Sequence, residues 1–263
     1  MSVIEQPWAG LRRYTAARIG LGRAGVSVPT AAHLAFQQAH AQARDAVHAP
    51  LDTEALLARL RALGEAPLRV QSRATDRASY LQRPDLGRRL DETDVQVLQQ
   101  LNAPASDLAF VLADGLSALA LQRQALPLFT ALRERLLREG GWTWAPPVVA
   151  TQARVALGDE IGELLHARCV VVLIGERPGL SAPDSLGIYF SWAPRLGLLD
   201  AERNCISNVR PEGLAPPVAA AKLHALLGQA RTRQLSGVGL KDDMDERALP
   251  GAVTSPLMRL LSG

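Results

Sequence analysis

Cysteine, lysine and long apolar runs are all scarce in this chain. Its 263 residues include two cysteines, Cys169 and Cys205, too few for a disulfide framework and consistent with free thiols in a reducing cytoplasm. Lysine occurs at Lys222 and Lys241 and nowhere else, so the positive charge is almost entirely arginine, and the net charge is a modest +3. With no dense basic block and no basic patch interleaved with aromatics, a nucleic-acid partner is not expected. No aliphatic run approaches the roughly 20 residues needed to span a bilayer, so no membrane association is expected. The start, M-S-V-I-E-Q-P-W, has neither a basic nor an apolar leader segment, so no secretory signal is expected. The chain also lacks a G-x-S-x-G elbow, a G-x-x-x-x-G-K phosphate loop and an H-E-x-x-H zinc motif. It contains no internal repeat or low-complexity segment.

What is present is a chain 48% hydrophobic and 21% charged, long enough to bury a core without staples. Its most informative stretch is R-C-V-V-V-L-I-G-E-R-P-G, residues 168–179. A run of large aliphatic residues breaks abruptly into Gly175, Glu176, Arg177, Pro178 and Gly179, the pattern of a doubly buried strand delivering a polar loop at its carboxyl end. In open α/β sheets ligands bind beyond the carboxyl ends of strands.

Before this stretch the chain reads as mostly helical. Helices are expected over 8–19, from an N-cap at Thr30 through Val47, over 53–63 and over 94–101. Residues 68–90 read as an irregular, arginine-rich loop around Arg83, Arg88 and Arg89. His33, His40 and His48 share a helical face with no Cys or acidic partner in view, and read as structural. From residue 105 the texture alternates. Strands are expected at 108–113, 146–150, 169–174 and 186–192. Helices are expected from Ser117 to Glu139 with an interruption at Pro127, over 159–165 and over 217–234, and a polar loop over 203–208. The order implies a mainly parallel, Rossmann-like α/β sheet covered by helices and preceded by a helical N-terminal region. The acidic stretch over 241–263 reads as a tail.

G-L-G-R-A-G, at 20–25, matches G-x-G-x-x-G literally. A dinucleotide site needs a hydrophobic strand feeding the first glycine and a helix opening near the last. Here the feeding segment R-R-Y-T-A-A-R-I has no β-branched run, and Val26 to Pro29 extend the chain beyond the motif. A glycine-rich loop between helices is the stronger reading, and an oxidoreductase using Gly20, Gly22 and Gly25 is the alternative.

Five strings occur in a fixed order: A-R-I-G-L-G-R-A-G (17–25), Y-L-Q-R-P-D-L-G-R-R-L (80–90), A-D-G-L-S-A (113–118), V-V-L-I-G-E-R-P-G-L (171–180) and C-I-S-N (205–208). Together they resemble the small subunits of ethanolamine ammonia-lyases, over residues from about Trp8 to about Leu240. The resemblance implies an adenosylcobalamin-dependent lyase that converts ethanolamine to acetaldehyde and ammonia. It implies a separate large TIM-barrel subunit that binds the substrate, with cobalamin enclosed between the two subunits in a higher hetero-oligomer. The cobalamin contacts it implies in this chain are Val155 in A-R-V-A-L-G-D-E-I-G, Glu176 in G-E-R-P-G and Cys205 in C-I-S-N. Glu176 is expected as a polar anchor for cofactor amides, Val155 as a packing or backbone contact, and Cys205 as a loop contact rather than a nucleophile. No catalytic residue and no protein metal ligand are expected in this chain.

The sequence has no D-x-H-x-x-G, the motif by which some cobalamin proteins replace the lower base with histidine, so base-on binding is implied. The expected division is a helical region over 1–104, a Rossmann-like cobalamin-binding domain over 105–240 and the tail over 241–263. The cytoplasm is the expected setting, and the resemblance leaves residence in a bacterial microcompartment open. The arginine-rich loop around Arg88 is expected at a subunit interface.

Overall fold

The computed structural model describes residues 3–241; the acidic stretch beyond Lys241 lies outside the described residues. The elements are α1 (Thr30–His48), α2 (Thr53–Ala62), β1 (Leu68–Gln71), α3 (Arg77–Gln82), α4 (Glu92–Leu101), β2 (Ser106–Ala113), α5 (Ala118–Glu139), β3 (Val148–Thr151), α6 (Leu157–Leu164), β4 (Ala167–Gly175), β5 (Leu186–Trp192), β6 (Arg203–Val209) and α7 (Pro216–Arg233). The six strands form one sheet in the order β1-β3-β2-β4-β5-β6. β1, β3, β2 and β4 are mutually parallel, whereas β5 and β6 add an antiparallel extension.

The alternation of side chains along each strand sends two apolar sets to opposite faces. On one face Leu108, Phe110, Leu112, Val171, Leu173, Ile188 and Phe190 pack under α2, α5 and α7. Phe110 meets Phe129 of α5 edge to face, with ring centroids 5.2 Å apart, a favoured aromatic geometry. On the other face Ala109, Val111, Val148, Val170 and Val172 pack under Leu98 of α4 and Leu157 and Ile161 of α6. This second core stops at β4. No fully buried side chain of β5 or β6 belongs to it, and only Tyr189 packs at its margin. The antiparallel extension is therefore covered on one face throughout and on the other only where Ser191 and Arg203 meet Asp159 of α6, which leaves that face part-open around Tyr189 and Cys205.

Helix ends follow local chemistry. Ser117 accepts from the Ala120 N–H at 3.2 Å and caps α5 as expected. α5 then runs unbroken through Pro127, contrary to the expected interruption, because Leu126 and Leu128 on either side are locked in the core. Four further expectations are corrected. The 8–19 helix is a short 3-10 turn, Pro7–Tyr14, with no buried residue to hold a longer one. Thr30 is the first residue of α1 and makes no capping bond; Pro29 precedes it in extended conformation. The 68–90 loop contains β1 and α3, and β1 pairs with β3 in the main sheet, N-terminal to the expected division at residue 104. Finally, residues 203–208 are not a loop but most of β6, a strand with buried Arg203, Ile206 and Val209 among exposed Cys205, Ser207 and Asn208.

Candidate functional site

α6 lies close on β4 because Gly158 and Gly162 face the strand: a Cβ at Gly158 would overlap Val172, and one at Gly162 would overlap Val170 and Pro194. The turn feeding α6, closed by the Gly158 N–H donating to the Val155 carbonyl at 3.0 Å, thereby sets Val155 beside the uncovered face of β5 and β6. A shallow depression of about 320 Å³ forms there, and Val155, Tyr189 and Cys205 line it together with Arg88 and Arg154.

Its floor is a register pair. Tyr189 of β5 lies opposite Cys205 of β6, and the exposed Cys205 thiol sits 3.3 Å from the Ser207 hydroxyl two residues along the same face. Burial, then the adjacent Cys205 and the Glu176 carboxylate, push the Tyr189 phenol well above its ordinary range. Tyr189 is therefore a neutral hydrogen-bond donor at any ordinary pH. Cys205 stands on a strand, which corrects the expected loop position, and no base among the described residues hydrogen-bonds its thiol.

Glu176 follows β4 and folds back over β5. Gly187 allows this, since a Cβ there would come within 3.1 Å of both the Glu176 side chain and the Tyr189 ring. Glu176 Oε2 accepts from the Ser185 hydroxyl at 2.5 Å and from the Asn208 N–H at 3.3 Å. Oε1 has no hydrogen-bond partner among the described residues, so one carboxylate oxygen is held and the other is presented. Glu176 does not line the depression itself; it stands at the carboxyl end of the same face, linked to it through Gly187 and Tyr189.

The rear wall is charged and buried. Arg203 donates to Asp159 Oδ2 at 2.5 Å, to the Leu198 carbonyl at 2.8 Å and to Asp200 at 2.6 Å. Asp159 Oδ1 accepts from the Ser191 hydroxyl at 3.0 Å. Burial raises the Asp159 carboxyl above its usual range, and the Arg203 guanidinium pulls it back.

The side wall comes from 80–90. Tyr80 is fully buried between the Arg77 and Arg154 guanidiniums, 4.8 and 4.2 Å from its ring centroid, and its hydroxyl donates to the Ala153 carbonyl at 3.0 Å. Arg89 and the Leu90 N–H both bind the buried Glu160 of α6. These ties carry the exposed Arg88 to the rim, where its guanidinium has no partner among the described residues.

The structure thus brings Val155 and Cys205 into one depression with Glu176 at its edge. Sequence reasoning missed Tyr189 and Ser185. Tyr189 alternates with apolar residues in the strand expected over 186–192 and Ser185 immediately precedes that strand, but what either faces needs strand register to be read. Among the described residues no three His, Cys, Asp or Glu side chains converge as metal ligands, and no helix is long and apolar enough to cross a membrane.

The arrangement joins an apolar wall, a carboxylate oxygen without a partner among the described residues, a neutral phenol and the Arg88 guanidinium on a surface open on its outer side. Comparison with known proteins agrees with a subunit of something larger. The family described as ethanolamine ammonia-lyase light chain (EutC) matches residues 5–241. An ethanolamine ammonia-lyase small subunit of Azotobacter vinelandii is 60% identical over 96% of this chain and 94% of its own length. Small subunits from Ralstonia nicotianae, at 59% over 92% and 90%, and Pseudomonas aeruginosa, at 58% over 94% and 91%, are similarly close. On the strength of these matches the chain belongs to the ethanolamine ammonia-lyase small-subunit family.

Proposed function

We propose that this chain, paired with a large subunit, completes an adenosylcobalamin-dependent lyase that converts ethanolamine to acetaldehyde and ammonia. Its own task is to hold one side of the cofactor on the open face of β5 and β6. The observation that carries this reading is the uncovered sheet face on which Val155, Tyr189 and Cys205 lie together with Glu176 at its end.

The residues fit such a group. A corrin offers a broad apolar surface edged with amide side chains, and the face offers the matching chemistry: Val155 and the Tyr189 ring for packing, Glu176 Oε1 as an acceptor for an amide N–H, and the Tyr189 hydroxyl as a donor to an amide carbonyl. Cobalamin is far larger than a depression of about 320 Å³, so this chain takes only part of it and a partner must enclose the rest. Base-on binding places the cofactor's nucleotide arm, with its phosphodiester, within the same complex, and Arg88 is the free cation at the rim suited to it. When bound, the cofactor supplies the radical that takes hydrogen from the substrate. The chain contributes orientation and exclusion of solvent, through the buried Asp159–Arg203 pair and the Tyr80 anchor that fix the walls. The reading sets the chain on a Rossmann-like frame whose antiparallel extension is the binding face.

The reading that Gly20, Gly22 and Gly25 hold a dinucleotide is not favoured. The motif follows an arm with no feeding strand of the sheet, and four residues separate Gly25 from the first residue of α1. Co-purification with the large subunit and a coupled aldehyde assay test the proposal. Activity should require both chains and adenosylcobalamin, and acetaldehyde release from either chain alone would overturn it.

A further inference from the structure

The glycine-rich motif needs another explanation. From Val3 to Gln38, Pro29 is the single buried residue. Nine of the fifteen large apolar side chains left exposed among the described residues fall between Val3 and Phe36, including Trp8 at 67% and Leu34 at 57%. Yet the arm has backbone hydrogen bonds of its own. Ile4 and Arg23 exchange two backbone hydrogen bonds, at 2.8 and 3.0 Å, so the chain doubles back on itself.

Gly20 and Gly22 make the return possible. Both have positive φ, at 58° and 78°. A Cβ on Gly20 would come 2.9 Å from the Ala9 backbone, and one on Gly22 would come 2.7 Å from the Ile4 carbonyl oxygen. The motif is therefore the crossing point of a clip. A clip whose ends are joined by a single antiparallel bridge and which buries only Pro29 has little to hold it in water. It is shaped for a cover that the described residues do not supply.

We propose that residues 3–36 form a preformed docking clip for the large subunit, with Trp8 and Leu11 inserted into an apolar, acid-rimmed surface of that partner. This rests on the two-subunit reading above. Two observations select that occupant. First, the clip is continuous with the face proposed for the cofactor: Arg18 donates to the Leu180 carbonyl at 3.4 Å, in the loop that links Glu176 to Ser185, so a subunit closing over that face reaches the clip without a gap. Second, the clip carries Arg12, Arg13, Arg18 and Arg23 against Glu5 alone. Two copies placed clip to clip would repel, whereas a partner with an acidic rim is attracted.

The test measures binding of the full-length chain to the purified large subunit without cobalamin, which separates docking from the cofactor reading. Trp8→Asp combined with Leu11→Asp should weaken binding by at least about tenfold, the effect of losing a central aromatic anchor. Gly22→Val, which prevents the clip from closing, should do the same. Leu137→Asp, at an exposed leucine of α5 outside the clip, should leave binding unchanged. The melting temperature of the isolated chain should not move in either clip variant, because none of the substituted residues is buried in it. Undiminished binding of both clip variants overturns the proposal, as does equal weakening by Leu137→Asp. Loss of self-association with large-subunit binding intact also overturns it, by making a second copy the occupant. If Glu176→Ala leaves cobalamin retention unchanged while the clip variants still release the large subunit, the cofactor reading fails and the clip stands.

Discussion

Arg203 of β6 and Asp159 of α6 form an ion pair with both side chains almost fully buried, 4% and 3% exposed. It ties the helix that follows Val155 to the strand that carries Cys205, so the width of the depression depends on it. A buried pair contributes little beyond a well-packed apolar pair, but removing one partner strands the other charge. Asp159→Ala should therefore cost about 3–5 kcal/mol in urea unfolding and release cobalamin from the assembled enzyme. Asp159→Leu with Arg203→Met should recover most of the stability, and equal loss in the double variant would show that the pair is not the cause.

Gly158 and Gly162 make a second constraint on the same helix. A side chain at either must push α6 off Val170 and Val172, because β4 is the central strand and cannot yield. Gly158→Val should destabilise by about 1–3 kcal/mol, the usual cost of overpacking. It should also displace Val155 and lower cofactor retention more than its stability cost explains. Thermal unfolding beside equilibrium dialysis of cobalamin with the complex separates the two effects.

Glu176 is anchored through one oxygen by Ser185 and Asn208, leaving the other to a ligand. Glu176→Ala removes the acceptor, and a hydrogen bond to a charged group is worth about 1.5–3 kcal/mol, so cobalamin retention in the complex should fall at least about tenfold. Ser185→Ala frees the carboxylate to rotate and should produce a smaller loss in the same dialysis. Retention unchanged in both variants would remove Glu176 from the binding face.

The parallel core was legible because a strand buried on both faces is written as an unbroken aliphatic run, as in 169–174, and a helix start as a serine ahead of an apolar period, as at Ser117. β6 was not, because R-N-C-I-S-N shows few apolar residues when one face is left open, and its inward residues, Ile206 and Val209, break strict alternation. β1 was hidden by its four-residue length among arginines. Of the three residues that the resemblance implies, Val155 and Cys205 line one depression and Glu176 stands at its edge, whereas Tyr189, Ser185 and the Asp159–Arg203 tie depend on sheet register and on helix-to-strand approach. Pairings across 16 to 44 positions, such as Tyr189 with Cys205 and Asp159 with Arg203, are set by folding rather than by local pattern.

Tyrosine ionisation offers a probe of both walls at once. Burial is the leading cause that raises the phenols of Tyr80 and Tyr189 above the ordinary value of 10.0, in Tyr80 against the pull of Arg154 and in Tyr189 reinforced by Cys205. The sign follows from linkage: the folded chain holds these protons more tightly than the unfolded chain. The stability they contribute is therefore complete below pH 10.0 and is lost as pH rises through that value toward the folded pKa. At about pH 11 the native protein should show less tyrosinate absorbance than the same protein in denaturant, and Tyr189→Phe should reduce the difference. The substitution should also flatten the alkaline fall in stability. Equal tyrosinate in native and denatured protein would mean that the phenol between Val155 and Cys205 is solvated, and that the face it floors is not the dry surface a corrin requires.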